Sequence, residues 1–288
     1  MDTDICELPA DQEERYSWIV TGVRFELKDK MIHVQIEEGK LLPTGQIEKN
    51  SVHLVELGDF TYLTDVSGGG FTMQDGDSTV TLKEGTDYWF IRFGRRDVNL
   101  DIVHAREPDY VVTGLKVSRD PENDQSVQLD VHITPFDFKA GLLTPTSDKP
   151  SKWISYRDMP DHDKGYNKRE WVDLKTAKFS PFKFYDNLPT EHDFAVTWFQ
   201  HTYGYEEIGH NTVPFFDRQL VAPYPRVPLT GVSLYLRIND GDSGGFFAFN
   251  LLTYDISRYL NPTMSPENVE LFKDKPENQI MNHFVELE

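Results

Sequence analysis

Ile19-Val20-Thr21-Gly22-Val23-Arg24-Phe25 recurs twice along the chain in altered form, as Val111-Val112-Thr113-Gly114-Leu115-Lys116-Val117 and as Pro228-Leu229-Thr230-Gly231-Val232-Ser233-Leu234. Each copy holds a Thr-Gly step inside an apolar run and then alternates. In the first, Val23, Phe25 and Leu27 share one face, Lys28-Asp29-Lys30 makes a polar turn, and Ile32, Val34 and Ile36 alternate again. Successive side chains of a strand point to opposite faces, so this period of two predicts a β-hairpin. The second copy continues through Leu115 and Val117, a polar turn at 119–124, then Val127, Leu129, Val131 and Ile133. The third continues through Val232, Leu234, Leu236 and Ile238, a turn at 239–245, and an apolar return from Phe246 to Leu252.

A glycine inside a strand weakens it by entropy and packs nothing, so three at one repeat position predict a bulge or a close backbone approach near a common axis. Similarity extends past the first two hairpins. Gly39-Lys40-Leu41-Leu42 is answered by Gly141-Leu142-Leu143, and Asp87-Tyr88-Trp89-Phe90-Ile91-Arg92-Phe93 by Asp193-Phe194-Ala195-Val196-Thr197-Trp198-Phe199. The expected organisation is one β domain over 16–260, made of units 16–108, 109–227 and 228–260, followed by a C-terminal extension at 261–288. Ser265-Pro266 would open a short helix in that extension, with serine as N-cap and proline in the first turn. The units are spaced too unevenly for a stacked solenoid and are too few for a propeller, so the expectation is all-β, with three hairpin sheets around one core and few short helices.

Composition agrees and excludes some functions. The 288 residues include 19 Phe, 13 Tyr and 5 Trp, an aromatic content that favours strands. Against 29 basic side chains stand 48 acidic ones, a formal charge of −19. A phosphate backbone or an anionic membrane surface is bound by clustered Lys and Arg, so neither is an expected partner. No apolar run is long enough for a membrane-spanning helix. Cys6 is the single cysteine, so the fold must hold without a disulfide or a cysteine-based zinc site. The chain shows no signal peptide and no Asn-x-Ser/Thr sequon, which reads as cytoplasmic, or as extracellular if the chain is a processed fragment.

The Tyr-Val-Val-Thr-Gly step, acidic turn and alternating return strand resemble a hairpin repeated in uncharacterised arthropod proteins. That resemblance spans about 16–260, through Thr21-Gly22, Thr113-Gly114, Thr230-Gly231 and Leu252-Thr253-Tyr254-Asp255. More distantly, the hairpins alone are similar to those of vitelline membrane outer layer proteins, which implies a three-sheet β-prism. Neither resemblance implies a set of catalytic residues.

Several constellations offer chemistry. The insertion at 146–205 concentrates Trp153, Tyr156, Tyr166, Trp171, His201 and Tyr203. Aromatic faces stack on sugar rings and polar neighbours bond hydroxyls, so these six are the candidate ligand residues, with a glycan or a protein surface as partner. Acidic turns offer Asp120, Asp124, Asp240 and Asp242 as oxygen ligands for calcium, without the spacing of an EF-hand; no other cofactor is expected. Gly241-Asp242-Ser243-Gly244-Gly245 spells the nucleophile string of trypsin-like proteases, but no histidine and aspartate in matching context accompany it, and it also suits a wide hairpin loop. The reading is a non-catalytic binding protein acting through the aromatic insertion. The alternative is a structural β protein assembling with copies of itself, and the third reading is a serine hydrolase at Ser243.

Overall fold

The structure, a computed structural model, describes residues 17–64, 69–90, 97–160, 168–172, 187–190, 193–201, 212–239 and 245–259. Strands β1 (Trp18–Lys28) and β2 (Met31–Lys40) form the first hairpin, edged by β3 (His53–Leu54). Strands β4 (Phe60–Leu63), β5 (Gly70–Asp75) and β6 (Ser78–Thr81) form a separate small sheet. Next, β7 (Asp97–Leu100) and β8 (Ile102–His104) lead to the second hairpin, β9 (Tyr110–Asp120) and β10 (Asn123–Asp137). Short strands β11 (Leu142–Leu143) and β12 (Lys152–Ile154) pair with β10. Then come β13 (Glu170–Trp171), β14 (Asn187–Thr190), β15 (Ala195–Trp198), β16 (Gln200–His201), β17 (Thr212–Val213) and β18 (Phe215–Phe216). The third hairpin is β19 (Leu229–Asn239) with β20 (Phe246–Thr253). Among the described residues helix is confined to 3-10 turns, as at Pro43–Gly45, Tyr156–Asp158 and Ser257–Tyr259. The protein is all-β.

The three Thr-Gly steps share one local geometry. Register shifts at Val20/Gly22, at Val112/Gly114 opposite Ile133/His132, and at Leu229/Gly231, so Thr21, Thr113 and Thr230 are each the extra residue of a β-bulge. A bulge interrupts the ladder, and each threonine hydroxyl crosses that gap. Thr21 Oγ1 donates to Glu37 Oε1 at 2.8 Å, Thr113 Oγ1 bonds Thr134 Oγ1 and His132 Nδ1 at 2.8 Å, and Thr230 Oγ1 donates to the Leu252 carbonyl at 3.3 Å. The glycine that follows makes room for a neighbour. A Cβ on Gly22 would lie 2.9 Å from Ala222 Cβ and 3.1 Å from the Val221 carbonyl; one on Gly231 would lie 2.6 Å from the Val103 carbonyl. At Gly114 the neighbours are side chains, His132 at 3.3 Å and Trp153 at 3.7 Å. The expected bulge is present at all three steps, and the glycines approach connectors and side chains.

Those close approaches interlock the hairpins. The segment before the second hairpin, β8, pairs antiparallel with β19 of the third. The segment before the third supplies Val221, whose backbone exchanges two 2.9 Å hydrogen bonds with Val23 of the first. Arg226 fastens the same segment, its Nε donating to Glu37 Oε1 at 2.6 Å and its Nη2 to Oε2 at 3.1 Å. Strands β1, β9 and β19 pack against each other's hairpins, and the main core draws on all three: Val23, Phe25 and Ile36; Leu115, Val131 and Ile133; Val232, Leu236 and Phe247. A satellite cluster of Met31, Phe71 and Tyr88 lies under the β4–β6 sheet. The chain divides into two compact units, Met1–Tyr254 and Asp255–Glu288; of the second, the described residues hold the Ser257–Tyr259 turn, with Ser257 N donating to Asp255 Oδ1.

Candidate functional site

Strand β2 carries polar residues at alternate positions, His33, Gln35 and Glu37, opposite the apolar Val34 and Ile36. The period of two assigns such a face to solvent, yet all three polar side chains are buried because the strand is covered on both sides. Val34 and Ile36 enter the main core, while Met31 joins the satellite cluster and His33 packs on Phe60, with ring centroids 4.8 Å apart. Gln35 Nε2 donates to the Val55 carbonyl at 2.7 Å. Ile32, on the core-side face, is 38% exposed because it lies beside the hairpin turn.

A cavity of about 840 Å³ opens where the two clusters approach. From the main core it is lined by Phe25, Val34, Phe199, Phe216 and Phe247, and from the satellite cluster by Met31, Phe60, Tyr62, Phe71 and Tyr88. The satellite rings set its wall: Phe71 meets Tyr62 at 5.1 Å and Tyr88 at 5.0 Å, and Tyr88 meets Phe90 edge-on at 5.3 Å. Exposed Lys30, Glu56, Gln74 and Asp75 also line it, so the space reaches the surface. Two polar atoms of the lining, His33 Nε2 and Trp89 Nε1, are buried and have no hydrogen-bond partner among the described residues. Burial, the largest influence on His33, holds its pKa below the ordinary histidine value, so the imidazole is neutral near pH 7.

The residues singled out in the insertion lie elsewhere and apart. Trp153 sits on β12 opposite His132, packed at a tilt against that ring with centroids 4.9 Å apart and under Lys116 Nζ at 4.2 Å. Tyr156 is 1% exposed and belongs to the interior, its hydroxyl donating to Asp120 Oδ1 at 3.1 Å. Burial raises the Tyr156 pKa, and the Asp120 charge adds to that, so it remains a donor. Trp171 is 55% exposed on β13, two strands beyond β7 in the sheet order, whereas β12 pairs with β10 five residues along from the Val127–Val98 contact. Trp171 is level with Asn99, one residue past Val98, which leaves an offset of four residues along the strands, roughly 14 Å at about 3.4 Å per residue. Tyr166 and Tyr203 lie outside the described residues, as does the side chain of His201, whose backbone pairs with Thr212.

Asp120 is 0% exposed rather than a solvated turn carboxylate. Its oxygens accept from Asn99 Nδ2 at 2.7 Å, from Glu122 N at 2.8 Å and from Tyr156, and Ser126 Oγ donates to Asn99 Oδ1 beyond. The side chain of Asp124, and all of Asp240, Asp242 and Ser243, lie outside the described residues. Among the described residues no group of three or more His, Cys, Asp or Glu side chains is placed to hold a metal ion, and no helix is long and apolar enough to cross a membrane.

Sequence reasoning missed the cavity because its walls come from two segments with different patterns. The aromatic residues at 60–90 were a usable signal: Phe60, Tyr62, Phe71, Tyr88, Trp89 and Phe90 are too many rings for a sheet whose last strand is exposed throughout. No protein-family model matches the chain, and no curated protein matches it either.

Proposed function

We propose that the protein is a non-catalytic binding protein for a small, largely apolar molecule, held in the cavity between the first hairpin and the β4–β6 sheet. The observation that carries this is the cavity itself, about 840 Å³ with aromatic and aliphatic walls, within the ~300–1,000 Å³ typical of small-molecule sites. A ligand that covers these walls gains burial at about 25 cal/mol per Å² of apolar surface removed from water. Apolar walls offer water few partners, which favours a ligand over a water cluster. The aromatic insertion supports a glycan less well, since Tyr156 is interior and Trp153 is already covered by Lys116.

The neutral fluorophore N-phenyl-1-naphthylamine tests the reading. Emission should rise on titration and saturate at one probe per chain. Val55→Trp combined with Leu82→Trp, which fills the cavity from two sides, should weaken binding at least about tenfold while the variant still melts cooperatively. No binding by the wild type, or equal binding by a folded filled variant, would sink the proposal.

A further inference from the structure

We infer that the molecule taken by this cavity is neutral and carries a hydroxyl group, an inference that rests on the binding reading above. The walls are mostly apolar, and two of their polar atoms, His33 Nε2 and Trp89 Nε1, are buried with no hydrogen-bond partner among the described residues. Buried polar atoms are nearly always bonded, so two orphans lining one cavity mark where a ligand's polar group belongs. A neutral imidazole Nε2 accepts or donates according to its tautomer, whereas an indole N–H can only donate. A hydroxyl satisfies either atom, donating to the imidazole or accepting from the indole. A methyl or an aromatic C–H satisfies neither.

Charge rules out the commoner apolar acids. His33 is neutral, and the lining holds Glu56, Asp75 and Asp87 against Lys30 alone, with Lys30 Nζ already 5.2 Å over the Tyr62 ring. A carboxylate would enter a site with an excess of negative charge on a chain of net −19. A cationic head would suit the rim but would leave the Trp89 N–H, which needs an acceptor, unsatisfied. A neutral alcohol or phenol on an apolar skeleton is the class that meets every wall.

Competition against N-phenyl-1-naphthylamine at pH 7.5 tests this with three molecules of one skeleton: naphthalene, 2-naphthol and 2-naphthoate. We expect 2-naphthol to bind about tenfold more tightly than naphthalene, the effect of satisfying one buried polar group, and 2-naphthoate to bind most weakly. In His33→Phe and in Trp89→Phe the ratio of naphthol to naphthalene affinity should fall toward one. Equal displacement by naphthalene and 2-naphthol, or tightest binding by 2-naphthoate, would overturn the hydroxyl assignment and leave the binding reading standing. Preserved selectivity in both folded variants would overturn it as well. If the fluorophore itself does not bind the wild type, the binding reading falls and takes this inference with it.

Discussion

Asp101 shows how little of a buried contact is written locally. It follows β7, and its carboxylate is gripped by Arg169, 68 residues later, through Nη1–Oδ1 at 2.7 Å and Nη2–Oδ2 at 3.0 Å. Arg169 also donates to the Ala195 carbonyl at 3.0 Å, and its guanidinium lies 4.1 Å over the Tyr156 ring and 4.6 Å over Phe194. Burial pushes the Asp101 pKa up to about 6 against the pull of Arg169, and the charges of Asp193 and Asp120 push it the same way. Because the folded state holds this proton more tightly than the unfolded chain, Asp101 contributes most to stability below pH about 4. That contribution is lost as pH rises toward 6 and then stays level. The unfolding free energy of the wild type minus that of Asp101→Asn should therefore fall between pH 4 and pH 7, by about 3 kcal/mol at about 1.4 kcal/mol per pKa unit. Urea titrations at four pH values measure it, and a flat or rising difference would refute the shift. No spacing or motif joins Asp101 to Arg169, and His33 likewise sits in an alternating strand as though facing water. Both were illegible because their environment comes from distant chain.

At the scale of the strand, sequence and structure agree most closely. The Thr-Gly step was readable as a bulge or a close approach, and it is both: the threonine is the inserted residue whose hydroxyl spans the gap, and the glycine admits a neighbour. What the neighbour would be was not readable, and that difference sets the cost of adding a methyl. Gly231→Ala drives Cβ into the backbone of β8, at 2.6 Å from the Val103 carbonyl and 2.8 Å from His104 Cα, and should cost about 2–3 kcal/mol or more. Gly22→Ala meets Ala222 Cβ at 2.9 Å and should cost less, since the 221–226 connector can shift. Gly114→Ala meets only side chains at 3.3 Å and beyond and should stay within about 1 kcal/mol of the wild type. Denaturant midpoints give the order, and Gly114→Ala proving the most damaging would contradict the packing described. The turns repeat the pattern. Asp29 and Lys30 both adopt positive φ in the tight turn of the first hairpin, without the Asn-Gly signal that usually marks one, so the strands run longer than their polar residues imply.

For the molecule as a whole, the charge of −19 is divided unexpectedly. Glu37, Asp101, Asp120 and Asp130 are buried and hydrogen-bonded, so part of the acidity holds the interior together instead of forming a solvated rim. The exposed remainder repels itself. Raising NaCl from about 0.02 M to 0.5 M shortens the screening length severalfold and should raise the thermal midpoint by a few degrees. A midpoint that falls with salt would mean that the ion pairs dominate over the net charge. Alternation, turn residues and the recurrent Thr-Gly step, all local properties of the chain, were enough to specify an all-β protein with three long hairpins. Only the tertiary structure decided that connectors of one hairpin lock into the glycine gap of another, that Tyr156 is core while Trp171 is surface, and that the rings of 60–90 leave a cavity against β2. The physical reason is range. Backbone geometry repeats every two residues and can be read along the chain, whereas burial, pKa and empty space depend on which distant segments arrive together.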